Sequence, residues 1–275
     1  MKPRPFDYVR PDTVEEVLAL LAEYGDDARI LAGGQSLVPM LNLRLIDAAV
    51  LIDISRVAEL GEIRDGPAVE IGAAMTQNAL LAWPPLAQRL PLVAAALPFV
   101  GHFQTRNKGT VGGSIAHADP SAELPLALAV HGGDVVLRSQ ARGERVLSVS
   151  QFQKGMLVTA REPDELITAV HFPTLAGWGA AFREVARRHG DFAIVAVAAL
   201  VMGEWAHVGI GGLIGRPVVT PVRAEVARER PDDWFGEWLD HFAGYDDLHA
   251  SAAMRRDMCR KLIPEVLAEA QSCFA

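Results

Sequence analysis

The chain places a glycine pair directly after a short apolar run, in the stretch Leu31-Ala32-Gly33-Gly34-Gln35-Ser36-Leu37. Residues 29–32 have the composition of a strand, and the apolar residues after Ser36 favour a helical turn. Glycine lets a backbone approach a ligand closely, and successive N–H groups in a turn can bind a phosphate without a cationic side chain. The stretch therefore predicts either a phosphate-binding loop or a tight turn that holds no ligand.

A second glycine pair lies in Thr110-Val111-Gly112-Gly113-Ser114-Ile115, directly after Arg106-Asn107-Lys108-Gly109. It too combines the N–H groups of a predicted loop with small hydroxyl-bearing side chains. Two such loops could hold one diphosphate from both sides. The chemistry alone supports this hypothesis and that of two ligand-free turns equally.

Other nucleotide-binding motifs are absent or incomplete. No GxxxxGK[ST] stretch occurs, which excludes a P-loop. The glycines from Gly209 to Gly215 resemble a Rossmann fingerprint, but Ile214 stands where the third glycine is needed. Because this stretch also lies among predicted strands, we interpret it as a passage from a strand into a loop.

The sequence predicts no metal site and no catalytic residue. Cys259 and Cys273 are the only cysteines, which is too few for an iron–sulfur cluster, and they are not spaced as CxxC. The eight histidines form no HExxH pair. Redox chemistry in this chain would therefore require an organic cofactor.

The composition is that of a globular protein, and the length of 275 residues suits about two domains. A net charge of −8 argues against a nucleic-acid surface, which needs a basic face. The longest apolar run, Phe192 to Met202, is shorter than the roughly 20 residues of a membrane helix. No apolar signal-peptide core follows the N-terminal residues, so we predict a cytoplasmic protein without a membrane span.

Local patterns predict a mixture of helices and strands. Thr13-Val14-Glu15-Glu16 is a capping box that predicts a helix closed by Gly25. Strands are predicted at 29–32, 50–53, 68–71, 134–138 and 166–172, and buried helices at 92–97 and 124–130.

The pattern changes after Pro173, and we place a domain boundary near 173–177. The ranges 177–187, 192–202 and 205–213 predict an antiparallel meander. From Val222 to the end the chain is predicted to be helical, with interruptions around Arg230-Pro231 and Gly244.

Both glycine stretches resemble the flavin-binding motifs of one family, the FAD-binding medium subunits of carbon monoxide dehydrogenase and related xanthine-dehydrogenase-type molybdenum hydroxylases. The first motif extends here from Ala32 to Met40. The resemblance is collinear over nearly the whole chain and includes Phe6-Asp7-Tyr8, Arg10-Pro11, Leu51-Ile52-Asp53-Ile54, Ile71-Gly72-Ala73, His117-Ala118-Asp119-Pro120 and Gly190-Asp191-Phe192-Ala193.

The resemblance implies a set of FAD-binding residues. The pyrophosphate would lie between Ala32, Gly33, Gly34, Gln35 and Ser36 on one side and Thr110, Val111, Gly112, Gly113 and Ser114 on the other. Glu123, where the family usually has aspartate, would accept a hydrogen bond from a cofactor hydroxyl. Leu166 and Ile167 would make an apolar contact near the adenine or the flavin. Phe192, where tyrosine is frequent, would cover one face of the isoalloxazine.

Some of these positions also have simpler interpretations. Glu123 could be a solvated carboxylate on a loop, and Phe192 could pack in the core at the start of a strand. For Asp119, which precedes Pro120, we favour a turn-forming residue over a ligand contact. Whether Arg183 and the pair Arg187-Arg188 lie near the flavin or on the surface stays open.

The resemblance also implies an architecture and partners. The expected fold is α+β: residues 1–173 form an FAD-binding unit of the vanillyl-alcohol-oxidase type, with two subdomains divided near 54–60. Residues 174–275 form a small antiparallel sheet with helices.

The resemblance also implies partner subunits. These would be a small [2Fe–2S] subunit and a large molybdopterin subunit, arranged as a dimer of heterotrimers. Electrons would leave the FAD for an unidentified external acceptor. Two alternatives stay open: a self-contained flavin-dependent oxidoreductase, and a non-catalytic subunit that has lost flavin.

Overall fold

The computed structural model describes residues 2–174, 177–223 and 231–273, with side chains in the last range from Phe235 onward. Its strands are β1 (Asp7–Val9), β2 (Ala28–Leu31), β3 (Val50–Asp53), β4 (Ile63–Asp65), β5 (Ala68–Gly72), β6 (Asp134–Ser139), β7 (Gly143–Ser148), β8 (Gln153–Gly155), β9 (Val158–Thr159), β10 (Glu165–Pro173), β11 (Gly179–Val185), β12 (Val195–Met202), β13 (Trp205–Gly211) and β14 (Val218–Arg223). Its helices are α1 (Val14–Tyr24), α2 (Leu37–Asn42), α3 (Gln77–Leu81), α4 (Leu86–Arg89), α5 (Pro91–Ala96), α6 (Phe103–Arg106), α7 (Val111–His117), α8 (Glu123–His131), α9 (Val149–Phe152), α10 (Pro231–Asp240) and α11 (Ala252–Ser272).

The N-terminal part is a three-stranded parallel sheet in the order β1-β3-β2. Helix α1 begins at the predicted capping box, in which Thr13 accepts from the Glu16 N–H, and Gly25 follows its last residue. The apolar residues of α1 are buried against this sheet because they recur at helical spacing. Leu166 of β10 belongs to the same core cluster and so joins this sheet to the next one.

The central sheet has five antiparallel strands in the order β4-β5-β10-β6-β7. The register between β6 and β10 shifts between Ile167 and Ala169, which is a bulge in β10. Helix α8 is buried almost all round, since it packs between this sheet and β12 and β13.

The C-terminal sheet is the predicted antiparallel meander, β11-β12-β13-β14. Helix α11 packs on β11 and β12. Val222 lies in β14, so the prediction that helix begins there was wrong. Val218, Val219 and Thr220 are β-branched and pair with the preceding strand β13, and this pairing favours a strand over a helix here. The predicted interruption at Arg230 falls outside the described residues.

Two glycines lie at strand boundaries in this sheet, one before β12 and one after β13. Strand β12 begins at Val195 rather than at the predicted Phe192, because Gly190 has a φ of +84° and its turn keeps Phe192 in the preceding loop. Gly212, with a φ of +77°, directly follows β13. The interpretation of Gly209 to Gly215 as a passage from strand to loop is therefore confirmed.

Among residues 2–174, 177–223 and 231–273, none of the helices combines the length and apolar character that a bilayer crossing requires. The same described residues contain no group of three or more His, Cys, Asp or Glu side chains that could hold a metal ion.

Candidate FAD-binding site

One cavity of about 570 Å³ brings the predicted site residues together. It is bordered by the N-terminal parallel sheet, the central sheet and the loop before β12. All of the predicted residues except Val111 line it: Ala32, Gly33, Gly34, Gln35, Ser36, Thr110, Gly112, Gly113, Ser114, Glu123, Leu166, Ile167 and Phe192. Its volume lies within the roughly 300–1,000 Å³ that is usual for small-molecule sites.

The first glycine loop offers backbone donors to this cavity. Within the described chain, the N–H groups of residues 33–37 donate to no protein acceptor. Gly34 has a φ of +70°, which glycine adopts readily, and Ser36 makes no side-chain cap at the start of α2. Successive unpaired N–H groups that border a cavity constitute an anion-binding surface.

The second glycine stretch is not a loop, as was predicted, but the start of helix α7. Thr110 is the N-cap: its Oγ1 accepts from the Gly113 N–H at 3.0 Å, and its carbonyl accepts from the Ser114 N–H at 3.1 Å. These N–H groups are therefore satisfied within the helix. The prediction of a second nest of free N–H groups was wrong, and the hydroxyls of Thr110 and Ser114 are the polar groups offered here.

Val111 and Gly112 attach α7 to the segment after β5. The Val111 N–H donates to the Met75 carbonyl at 2.9 Å, and the Gly112 N–H donates to the Ala73 carbonyl at 3.0 Å. The Val111 side chain is fully buried in the core and does not line the cavity. A Cβ on Gly112 would lie 2.5 Å from the Ala73 Cβ, so only glycine permits this packing.

The two glycine stretches meet through their backbones. A Cβ on Gly33 would overlap the carbonyl oxygen of Lys108 and lie 2.8 Å from the Gly109 Cα. The first loop can therefore approach the residues before α7 only because residue 33 has no side chain.

Glu123 is buried and is the first residue of α8, so its interpretation as a solvated loop carboxylate was wrong. Its pKa is raised to about 8, mainly by burial; the nearby carboxylates of Glu184 and Asp119 also raise it, while a backbone hydrogen bond and Arg106 lower it. A carboxyl group held neutral in this way can donate as well as accept a hydrogen bond at neutral pH.

The apolar residues of the lining differ in burial. Leu166 and Ile167, at the start of β10, are buried, and Ile30 also lines the cavity. Phe192 is 58% exposed, so its interpretation as a core residue was wrong.

Gln77 is a cavity residue that the sequence patterns did not predict. It is 5% exposed and its Oε1 has no hydrogen-bond partner among the described residues, so one end of its amide is unsatisfied. It follows Thr76, the N-cap of α3, and belongs to no motif that could have revealed it.

Several other predicted positions are resolved by the contacts. The Asp119 side chain accepts from the Ser121 N–H at 2.8 Å, which confirms its turn-forming role. Arg183 pairs with Glu265 and Glu269 of α11, so it does not lie at the cavity. Arg188 pairs with Asp191, the neighbour of Phe192. Arg187 is exposed and does not line the cavity.

Comparison with known proteins identifies the family. Residues 4–175 match the family described as the FAD binding domain in molybdopterin dehydrogenase. The chain belongs to this family. This FAD-binding chain is 36% identical over 249 residues to caffeine dehydrogenase subunit beta from Pseudomonas sp. (strain CBB1), covering 82% of the chain and 84% of that subunit.

Relatives and solved structures agree on the kind of subunit. The FAD-binding chain is 39% identical over 204 residues to the carbon monoxide dehydrogenase medium chain of Hydrogenophaga pseudoflava, covering 73% of the chain and 70% of the relative. Its fold matches a chain in a solved structure of carbon monoxide dehydrogenase from the same organism with a TM-score of 0.91, 32% identity and complete coverage of both chains. The protein is therefore an FAD-binding, medium-type subunit of the molybdenum hydroxylase family, with a mixed helix and sheet fold.

Proposed function

We propose that the chain binds one FAD in the 570 Å³ cavity and passes electrons from the [2Fe–2S] clusters of a partner subunit to an external acceptor. The observation that carries this proposal is the run of unpaired N–H groups at residues 33–37, which faces the start of α7 across the cavity. A diphosphate is the part of FAD that such a surface would bind.

The residues around the cavity fit FAD along its length. The pyrophosphate would contact the N–H groups of Gly33 to Ser36, with the hydroxyls of Thr110 and Ser114 opposite. Leu166 and Ile167 would form the apolar contact to the adenine, and Phe192 would cover the isoalloxazine through its ring. The Glu123 carboxyl, which has no ion-pair partner among the described residues, would hydrogen-bond a cofactor hydroxyl.

The part of the chain in electron transfer is to bind and orient the cofactor. Flavin, when bound, supplies the ability to take up electrons one at a time and to deliver a pair. Among the described residues that line the cavity, no serine or threonine hydroxyl is hydrogen-bonded to a His, Asp or Glu side chain, in agreement with a site that moves electrons rather than acyl or phosphoryl groups. Substrate oxidation would occur at molybdopterin in a large partner subunit.

We further propose the finer organisation that the resemblance implies. Residues 1–173 would be a unit of the vanillyl-alcohol-oxidase type with two subdomains divided near 54–60, and 174–275 a separate C-terminal domain. The three sheets support this division, since the N-terminal sheet ends with β3 at Asp53, and the C-terminal sheet begins with β11. The holoenzyme would be a cytoplasmic dimer of heterotrimers.

The proposal is tested first by the cofactor content of the purified chain. An absorption spectrum with flavin bands, and release of a mass matching FAD at about one per chain, is the expected result. A colourless chain that also fails to bind added FAD would overturn the site and favour a subunit that has lost flavin.

A second measurement separates an electron-transfer subunit from a self-contained oxidoreductase. The FAD-loaded chain should be reduced by a chemical reductant but not by aldehydes, purines or N-heterocycles, because the oxidising centre lies in another subunit. Direct reduction of the flavin by one of these compounds would favour the self-contained enzyme.

A further inference from the structure

A second cavity lies at the carboxyl edge of the N-terminal parallel sheet. It has a volume of about 690 Å³, and each of the three strands contributes the residues at its carboxyl end. Arg10 follows β1, the pair Gly33-Gly34 follows β2, and Asp53 ends β3. In open parallel sheets the carboxyl edge is where ligands bind, because the loops that follow the strands diverge there and leave a crevice.

The cavity carries uncompensated positive charge. Lys108 lines it and makes no ion pair or hydrogen bond through its ammonium group in the described part of the chain. Arg10 donates from Nη2 to the Ser55 Oγ at 3.1 Å, and its Nη1 has no partner among the same residues. The side-chain amide of Asn107 lies beside Lys108 and is likewise without a protein partner in the ranges described.

The one carboxylate in the cavity does not neutralise Lys108. Asp53 Oδ1 accepts from the Ser55 N–H at 2.8 Å, and Asp53 Oδ2 accepts from the Tyr8 hydroxyl. Arg10 Nε lies 3.6 Å from Oδ2, so this carboxylate is already engaged and also fixes the guanidinium in place. The ammonium group of Lys108 and the Nη1 of Arg10 are cationic donors without a protein acceptor among the described residues, which suits an anionic ligand.

Another part of the lining is apolar. Leu31, Val38 and Pro39 line the cavity, and Val38 is 41% exposed. A ligand that fits both walls has an anionic group at one end and a flat or apolar body at the other. A phosphate ester of a nucleoside has this shape and chemistry.

We propose that this second cavity binds a mononucleotide-like phosphate ester, with its phosphate on Lys108 and Arg10 and its ring against Val38 and Pro39. The site is distinct from the FAD cavity, although residues 32–35, Pro39 and Thr110 form a wall common to both. Arg10, Asp53, Asn107 and Lys108 line only the second cavity. On this proposal, FAD in the first cavity would leave these groups available to a second ligand.

The test uses the full chain loaded with FAD and AMP as the probe, titrated by calorimetry while the flavin absorbance is followed. AMP should bind at one site per chain, and Lys108→Gln should weaken binding by about ten-fold through loss of a charge-assisted hydrogen bond. Lys154→Gln removes the same charge from an exposed position outside both cavities and should change the affinity by less than about two-fold.

The following results would contradict the proposal. No AMP binding by the FAD-loaded chain, or equal affinities of wild type and Lys108→Gln, would remove the site. Release of FAD by AMP would place AMP in the first cavity instead. Inorganic phosphate should bind more weakly than AMP, and equal affinity would overturn the role of the apolar wall. Because FAD content is read in the same sample, failure of this site is distinguishable from failure to bind the cofactor.

Discussion

At the scale of single residues, burial of Glu123 makes the stability of the cofactor-free chain depend on pH. Its pKa is about 8 in the folded chain, against 4.5 for an exposed glutamate carboxyl. Between these values the folded state binds more protons than the unfolded state, so stability falls as pH rises from 5 to 8. Burial is the main cause, with repulsion from Glu184 and Asp119 added to it.

We predict that Glu123→Gln removes most of this pH dependence. The variant should match wild type near pH 5 and exceed its unfolding free energy at pH 7 by about 3 kcal/mol, as the pKa difference implies. Urea unfolding of the FAD-free chain at both pH values measures this. Glu144→Gln, at an exposed position of β7, is the matched control and should leave the pH dependence unchanged. If the unfolding free energy of Glu123→Gln changed with pH as steeply as that of wild type, the buried carboxyl of wild type would be ionised.

Gly33 is the residue on which the approach of the two glycine stretches depends. Gly33→Ala would place a methyl group on the Lys108 carbonyl, and backbone cannot move aside as a flexible side chain can. We expect a loss of about 2 kcal/mol in unfolding free energy and loss of bound FAD from the purified variant.

The control for Gly33→Ala is Gly61→Ala. A Cβ on Gly61 would have no heavy atom within 4 Å. Its unfolding free energy should stay within about 0.5 kcal/mol of wild type, with full FAD content. Retention of FAD by Gly33→Ala would show that the cofactor does not need the two stretches in contact.

At the scale of secondary-structure elements, the N-cap of α7 connects helix stability to the cavity. Thr110→Ala removes the acceptor of the Gly113 N–H and should cost about 1 kcal/mol in unfolding free energy. Because Thr110 also lines the cavity, FAD affinity should fall by about ten-fold. Chemical unfolding and titration of FAD into the stripped chain measure the two effects, and Thr110→Ser should preserve both.

Thr13 provides a cap of the same kind away from the cavity. Thr13→Ala should reduce stability by a similar amount, because it removes the capping box of α1, while FAD affinity stays at the wild-type value. Equal FAD affinities of Thr110→Ala and wild type would limit Thr110 to a role in helix capping.

Sequence patterns predicted elements where the deciding interactions are local. The Thr13 capping box and Gly25 determine the two ends of α1 within one stretch of chain, and the first three residues of the buried strand β3 are a continuous apolar run. Helix α7 was missed because glycine has low helix propensity, and its start is held by the carbonyls of Ala73 and Met75, which are distant in sequence.

At the scale of the whole molecule, the site could be predicted only through resemblance. Periodicity does not reveal that β5 pairs with β10 about a hundred residues later, or that residues 33, 123, 166 and 192 share one cavity. Gln77 shows the same limit, because its role depends on tertiary position and not on a motif.

Arg255 connects the C-terminal helix α11 to the segments that carry Phe192 and Glu123. It is 1% exposed and donates to the carbonyls of Ile194 and Gly212, the latter at 2.9 Å. Ile194 lies two residues after Phe192. The Gly212 N–H donates to the Pro120 carbonyl at 2.8 Å, three residues before Glu123. The C-terminal helix thus fixes the loop of Phe192 and the segment that leads to Glu123.

We predict that Arg255→Met lowers the unfolding free energy by about 3 kcal/mol, because the carbonyl groups of Ile194 and Gly212 and the Oδ2 of Asp247 lose their common donor. FAD affinity should fall together with stability, since both segments lose a common anchor. Arg260→Met is the matched control: Arg260 lies on the same helix, pairs with the exposed Asp240 and Asp257, and should contribute less than about 1 kcal/mol. If Arg255→Met loses stability but binds FAD with wild-type affinity at a temperature where it is fully folded, the cavity is organised without the C-terminal helix.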